Sequence, residues 1–327
     1  MTPTNPFHAI KLQNLNKTYQ KRGSDPIQAV RDLNLTVPHG QVLGFLGENG
    51  AGKTTTIKMM CGLVHPTTGQ VELNGHDVAK QRSQAIQQMG AVLEGTRNVY
   101  WRLTALQNLI YFGRLKGFWG RRMKRRAEQL LTELELWERR NDPVRDFSRG
   151  MQQKVAIACA LIANPPIVLL DEPTLGLDVH AARTVKQWIH KLAREEGKTV
   201  VLTTHQLDMA EELCDRVAII RKGVLIADEP TNKLLDLFRQ ESYEICIDGQ
   251  IDHTALDRMP QFSDTLTLTH ENGHTKLTCH VQDQNQLYSV LDAMRTQTWP
   301  LISVVRSEPN LEEVFVKMTR TEQDNQS

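Results

Sequence analysis

Gly47-Glu48-Asn49-Gly50-Ala51-Gly52-Lys53-Thr54 follows the pattern G-x-x-x-x-G-K-[ST]. Before it, Gln41-Val42-Leu43-Gly44-Phe45-Leu46 is a short apolar run that reads as a buried strand. After it, Thr55-Thr56-Ile57-Lys58-Met59-Met60-Cys61 reads as the first turns of a helix. Strand, glycine loop and helix form the context in which this pattern cradles phosphate. Glycine lets the backbone approach a triphosphate closely and turn its N–H groups inward. The helix N-terminus adds the positive end of its dipole. Gly47, Glu48, Asn49, Gly50, Ala51 and Gly52 would form the cradle. Lys53 would reach the β and γ phosphates as a point charge. The Thr54 hydroxyl would bind Mg²⁺, and Thr55 would donate to the α phosphate.

With 327 residues there is room for one large domain and a smaller one. A hydrophobic content of 40% and a charged content of 24% are those of a soluble globular protein. The formal net charge of +1 gives no global argument for nucleic acid as a partner. The cysteines at 61, 159, 214, 246 and 279 are scattered, and no pair has metal-ligand spacing, so a reducing compartment is expected. The N-terminus lacks the basic start and apolar stretch of a signal peptide. No run of about 18 apolar residues occurs, so any membrane span belongs to another chain.

Along the chain, Phe7 to Leu15 and Gln28 to Val37 alternate as antiparallel strands before the loop. Gly69 to Leu73 follows, closed by the turn signal Asn74-Gly75. Met89 to Glu94 is apolar and ends in a carboxylate. Apolar positions then recur at helical spacing from Leu106 to Leu115 and from Ala127 to Leu136. Between them lie Arg114, Lys116, Arg121, Arg122, Lys124, Arg125 and Arg126. That basic run is either a solvated helix face or a contact for anionic lipid headgroups. Phe147-Ser148-Arg149-Gly150-Met151-Gln152-Gln153 opens a helix that stops at Asn164-Pro165. Ile167-Val168-Leu169-Leu170-Asp171-Glu172 is a buried parallel strand ending in two acids. Thr199 to Thr203 is another, ending at His205, and Val217 to Ile220 pairs with Val224 to Ala227. Strands alternating with helices give a mainly parallel α/β sheet with an antiparallel edge.

Texture changes between Phe238 and Ser242. Strands at Tyr243–Ile247, Asp264–His270, His274–Val281 and Ile302–Ser307 alternate with helices at Thr254–Arg258 and Asp283–Arg295. The order is βαββαβ, a small ferredoxin-like α+β unit. A last helix is expected at Leu311–Met318. The expected domains are a tail at 1–8, a nucleotide-binding domain at 9–238 with a helical subdomain at about 95–163, an accessory domain at 239–320, and a tail at 321–327.

A phosphate loop needs a second site for metal and water. Asp171, at the end of its apolar strand, is placed to hold Mg²⁺ through water. Glu172 can face the γ phosphate and accept a proton from water. An acid pair at a strand end can also simply cap the next helix. Here four apolar residues precede the pair and Pro173 follows.

At this point the residues resemble the ATP-binding cassette (ABC) ATPases. The resemblance rests on the Gly47–Thr54 loop, Ser148-Arg149-Gly150-Met151-Gln152, the Ile167–Glu172 strand, Gly176-Leu177-Asp178 and His205, in that order. It covers roughly residues 9 to 238. It implies a head-to-tail dimer that sandwiches two ATP molecules. Ser148 and Gly150, with Gln152, would then act in trans on the γ phosphate bound by the other subunit, and Asp178 would lie at the dimer seam. His205 would bond the γ phosphate and orient water. Tyr19 lies where the family places an aromatic ring on adenine, although a strand end is also an ordinary place for a half-buried tyrosine.

Two departures stand out. Arg149 and Met151 replace the second and fourth positions of the usual Ser-Gly-Gly-Gln, while Ser148 and Gly150 are kept. Glu94 stands where the family usually has glutamine. A carboxylate about 6 Å from a phosphate charge costs about 3 kcal/mol at an effective dielectric near 20. Mg²⁺ between them reverses the sign, so Glu94 is expected to approach the metal.

The C-terminal stretch Pro309-Asn310-Leu311-Glu312-Glu313-Val314-Phe315 looks like the tail of ATPase subunits of bacterial exporters for drugs, antibiotics, lipids or polysaccharides. The accessory unit is expected to be structural or dimer-stabilising, with ligand sensing as the alternative. The resemblance therefore implies an ATP- and Mg²⁺-dependent ATPase at the cytoplasmic face of the cell membrane. It would drive a separate membrane-spanning permease and pair with a second ABC subunit, most simply a copy of itself. The rivals are an importer ATPase with a regulatory domain and a soluble ABC protein. Against the latter, no second cassette and no long heptad run is visible.

Overall fold

Five successive buried residues, Val42–Leu46, form the strand on which the glycine loop is mounted. The computed structural model describes residues 8–20, 23, 25–95, 98–237, 241–251, 266–271, 273–281, 284–307 and 311–312. Two compact units result, Met1–Thr231 and Asn232–Ser327.

In the first unit, β1 (Ile10–Tyr19) and β2 (Ile27–Val37) precede β3 (Val42–Leu46) and α1 (Lys53–Met60). β4 (Thr68–Leu73), β5 (His76–Asp77), α2 (Arg82–Gln87) and β6 (Met89–Val92) follow. A helical stretch holds α3 (Ala105–Leu115), α4 (Gly120–Glu133), a short 3-10 turn at Val144–Asp146, and α5 (Arg149–Leu161). The chain then returns to the sheet through β7 (Ile167–Asp171), α6 (Val179–Arg194), β8 (Thr199–Thr204), α7 (Leu207–Leu213), β9 (Arg216–Arg221) and β10 (Val224–Pro230).

Six strands form the central sheet in the order β10-β9-β3-β8-β7-β6. β3, β6, β7, β8 and β9 run parallel, while β10 pairs antiparallel with β9 at the edge. Four more strands make an antiparallel sheet, β2-β1-β4-β5. Phe45, Ile57, Met60 and Leu169 are fully buried in the core between the sheets. The register sets the site. Leu46 pairs with Thr204 and Asp171 with Thr203, so the loop, the acid pair and the strand before His205 end at one edge of the sheet. In open parallel sheets this carboxyl edge is where ligands bind.

Two expectations change in detail. The first strand runs Ile10–Tyr19 rather than ending at Leu15, because pairing with β2 persists through irregularities to Tyr19↔Ile27. Helix α6 was not among the expected elements. It buries Val185, Trp188, Ile189 and Leu192 on one face.

In the second unit, α8 (Thr231–Leu237) leads in across the boundary. β11 (Glu241–Ile247), β12 (Leu266–Glu271), β13 (His274–Val281), α9 (Gln284–Thr296) and β14 (Leu301–Ser307) follow. The sheet order β12-β13-β11-β14, with every pairing antiparallel, is that of a ferredoxin-like unit. Ile245, Leu277, Cys279 and Val290 form its core. The helix expected at Thr254–Arg258 and most of that at Leu311–Met318 lie outside the described residues.

Candidate active site

The glycine loop turns tightly beneath two neighbouring strands. A Cβ on Gly52, at φ 112°, would lie 2.5 Å from the Ala29 carbonyl oxygen. One on Gly47 would lie 2.3 Å from that of Ile220. Glycine at both positions is therefore a packing requirement as well as a means of close approach. Lys53 is only 7% exposed, and its ammonium donates to the carbonyls of Gly47 at 2.6 Å and Glu48 at 3.2 Å. Burial lowers its pKa, against the opposing pull of Glu172, Asp171 and Glu94.

Asp171 is 1% exposed and joins three elements. It accepts from Thr54 Oγ1 of α1 at 3.3 Å, from Thr203 Oγ1 of β8 at 2.5 Å and from the Glu94 backbone N–H at 3.4 Å. Glu172 comes next, with φ at +50° in the left-handed region that a β-carbon disfavours. Its N–H donates to the Thr203 carbonyl at 3.1 Å and to Thr203 Oγ1 at 3.0 Å, which holds the turn in place. Its Oε2 lies 2.9 Å from His205 Nδ1. With the proton on Nδ1, the imidazole orients the carboxylate and leaves Nε2 for a second partner. Thr203 was not expected at the site. Its only signal is its place two residues before His205 on a buried strand.

A cavity of about 500 Å³ opens here. The loop residues Glu48 to Thr55, together with Glu94, Glu172 and His205, line it. The donors suit a phosphorylated ligand with Mg²⁺: backbone N–H groups at a helix start, one ammonium, and the hard oxygens of Thr54 and Asp171. Among the described residues no three His, Cys, Asp or Glu side chains form a metal cage. A Mg²⁺ ion here would complete its shell with phosphate oxygens and water.

Ser148, Gly150 and Asp178 are not among the cavity's described lining residues. Ser148 caps α5, accepting from Met151 N–H at 3.3 Å, and Asp178 caps α6, accepting from Ala181 N–H at 2.8 Å. Gly150 brings the two helix starts together, since a Cβ there would sit 2.7 Å from that of Ala181. Arg149 lays its guanidinium over Gly176. Gln152 turns inward and donates to the carbonyls of Val144 at 3.3 Å and Phe147 at 3.1 Å. Tyr19 is 39% exposed, with the Lys17 ammonium 4.9 Å from its ring centre, and it is not among the described cavity lining.

A family profile described as "ABC transporter" matches residues 30–175, and a "Domain of unknown function (DUF8691)" matches residues 242–305. The chain is 39% identical over 232 residues to the ABC transporter ATP-binding protein NatA of Bacillus subtilis (strain 168), covering 71% of this chain and 94% of NatA. The chain belongs to the ABC transporter ATP-binding family. This ABC ATPase is also 33% identical over 311 residues to the bacitracin transport ATP-binding protein BcrA of Bacillus licheniformis, covering 94% of this chain and 96% of BcrA. Among solved structures, it resembles the dimeric post-hydrolysis state of the cassette MJ0796 bound to ADP and Pi. That match has a TM-score of 0.62 and 31% identity, and covers 68% of this chain and 98% of MJ0796. The chain is thus an ATP-hydrolysing, nucleotide-binding subunit of the exporter type.

Proposed function

We propose that this ABC ATPase binds Mg·ATP in the cavity above the glycine loop and hydrolyses it with Glu172 as general base. Glu172 accepts a proton from water as the water attacks the γ phosphorus, and the bond to the ADP oxygen breaks. His205 donates from Nδ1 to Glu172 and, with both ring nitrogens protonated, donates from Nε2 to the γ phosphate. Lys53 and the N–H groups of residues 50–55 stabilise charge on the phosphates. Thr54 and Asp171 hold Mg²⁺, which supplies Lewis-acid charge neutralisation when bound. Glu94 would help Thr54 and Asp171 to hold that metal. Tyr19 stacks on the adenine.

Ser148, Gly150 and Asp178 of a second copy complete each site, with Gln152 fixing the turn from within. The capped start of α5 offers an anion-binding end. Closure on ATP and opening after hydrolysis drive a separate membrane-spanning permease at the cytoplasmic face of the membrane. BcrA is named for bacitracin transport, and an antibiotic or similar amphiphile is the cargo class we infer.

The observation that carries this reading is Asp171, where Thr54, Thr203 and Glu94 converge beside the Glu172–His205 pair. Glu172→Gln keeps the shape and removes the base. Turnover is expected to fall by at least about 10²-fold, while ATP stays bound in a dimer separable by gel filtration. Unchanged turnover in this variant would reject Glu172 as the base.

A further inference from the structure

The end of α3, the turn after it and the first two turns of α4 gather positive charge in a chain whose net charge is only +1. Arg114, Arg121, Arg122, Lys124 and Arg125 are all exposed, and none enters an ion pair among the described residues. The run's other two cations are already engaged. Lys116 donates to the carbonyls of Ile86 at 2.6 Å and Met89 at 3.0 Å, and Arg126 lies 3.7 Å from Glu196. Met123, Ala127, Leu130 and Leu131 bury the opposite side of α4, so the free cations project outward. Among them stand two large apolar side chains, Leu115 at 66% exposure and Trp119 at 63%. The Arg114 guanidinium lies 5.8 Å from the Trp119 ring centre.

This arrangement works against the helix that carries it. Trp119, at the N-cap position, makes no side-chain cap bond, and the first turn has no acid. Cations sit at the positive end of the dipole, where anions are favoured. Arg121 repels Lys124 and Arg125 at spacings of three and four residues. A fold selected only for stability would place Asp or Glu here. An external anionic layer removes both penalties at once.

We propose that this surface rests on anionic lipid headgroups, with the five cations on the phosphates and Leu115 and Trp119 entering the interface. Exposed Trp and Leu beside unpaired Arg and Lys is the combination that suits a membrane boundary. A single-stranded nucleic acid would call for a groove with successive stacking rings, whereas Trp119 is the one large exposed ring among the described residues of the basic stretch 114–126. An acidic protein segment would answer the cations and leave Leu115 and Trp119 in water. The inference is independent of the hydrolytic reading and can fail without it.

Flotation of the purified full chain with vesicles decides it. The chain is expected to float with phosphatidylcholine vesicles containing phosphatidylglycerol, not with phosphatidylcholine alone, and to be released by high salt. Each neutralised cation should lower the partition coefficient about fivefold, so Arg121→Gln/Arg125→Gln should lose about 25-fold. Trp119→Ala should weaken binding and leave its salt dependence intact. ATPase turnover of the soluble variants should match the unmodified chain, which reports that they are folded. Should the double variant fail that check, the vesicle and salt comparison on the unmodified chain still decides. Equal flotation with neutral vesicles, full retention by a folded double variant, or tighter binding to a single-stranded oligonucleotide at the same salt would each overturn the proposal.

Discussion

Glu94 poses the sharpest question at the scale of one residue. Its backbone N–H reaches Asp171, and its side chain lines the cavity together with Thr54. Glu94, Glu172 and Asp171 together oppose the lowering of the Lys53 pKa, which places three carboxylates around one ammonium. A glutamine at position 94 would add no charge to this balance. With glutamate, a phosphate about 6 Å away meets about 3 kcal/mol of repulsion at an effective dielectric near 20. A divalent ion between the two turns that repulsion into attraction. Glu94→Ala is therefore expected to bind ATP more tightly without Mg²⁺ and to gain less from its addition. Titration calorimetry with Mg²⁺ or a chelator measures both affinities and does not depend on turnover. An unchanged metal dependence would remove Glu94 from the metal's surroundings.

Among the elements, the meeting of α5 and α6 matters most. Both helices begin at side-chain caps, Ser148 and Asp178, and Gly150 lets those beginnings touch. A methyl at 150 would press on the Ala181 methyl at 2.7 Å, and overpacking of this kind costs about 1–3 kcal/mol. Gly150→Ala should lower stability by about that amount, and Gly150→Ala/Ala181→Gly should recover most of it, because the second change removes the opposing methyl. Denaturant melts test this; losses that merely add would locate the effect elsewhere. This contact also marks where the sequence stops being legible. The loop could be read because strand, glycines and helix are adjacent along the chain. The strands Val42–Leu46, Ile167–Asp171 and Thr199–Thr204 could be read because every residue in them is buried and apolar or β-branched with few exceptions. Gly150 against Ala181 could not be read, because the helix crossing fixes it. Nor could Thr203 beside Asp171, which depends on the parallel register of β7 and β8. Gln152 was expected to act on a partner's nucleotide. Within one chain its amide donates to two carbonyls of the preceding turn, a local need that composition does not reveal.

At the scale of the whole molecule, the proposed site divides into a loop half and a Ser148 half. The cavity gathers the loop, Glu172 and His205, while the Ser148 and Gly150 turn is not among its described lining. On the proposed function these halves meet across two copies. If each site takes its loop from one chain and its Ser148 turn from another, two differently disabled chains must rescue one another. Lys53→Met disables the loop half, and Ser148→Arg puts bulk and charge on the other half at the cost of about 1 kcal/mol of capping. Neither variant alone should hydrolyse ATP. In a mixed dimer, the intact loop of the Ser148→Arg chain faces the intact turn of the Lys53→Met chain, and both defects fall together in the second site. Equal mixing with free exchange should give about a quarter of normal turnover, since half the dimers are mixed and each has one whole site. Counting retained nucleotide separates this from a requirement that both sites fire: one ATP per mixed dimer is expected even if turnover stays low. Mixed dimers that form and retain none would show that each chain builds its site alone, and the trans assignment of Ser148 and Gly150 would have to be abandoned.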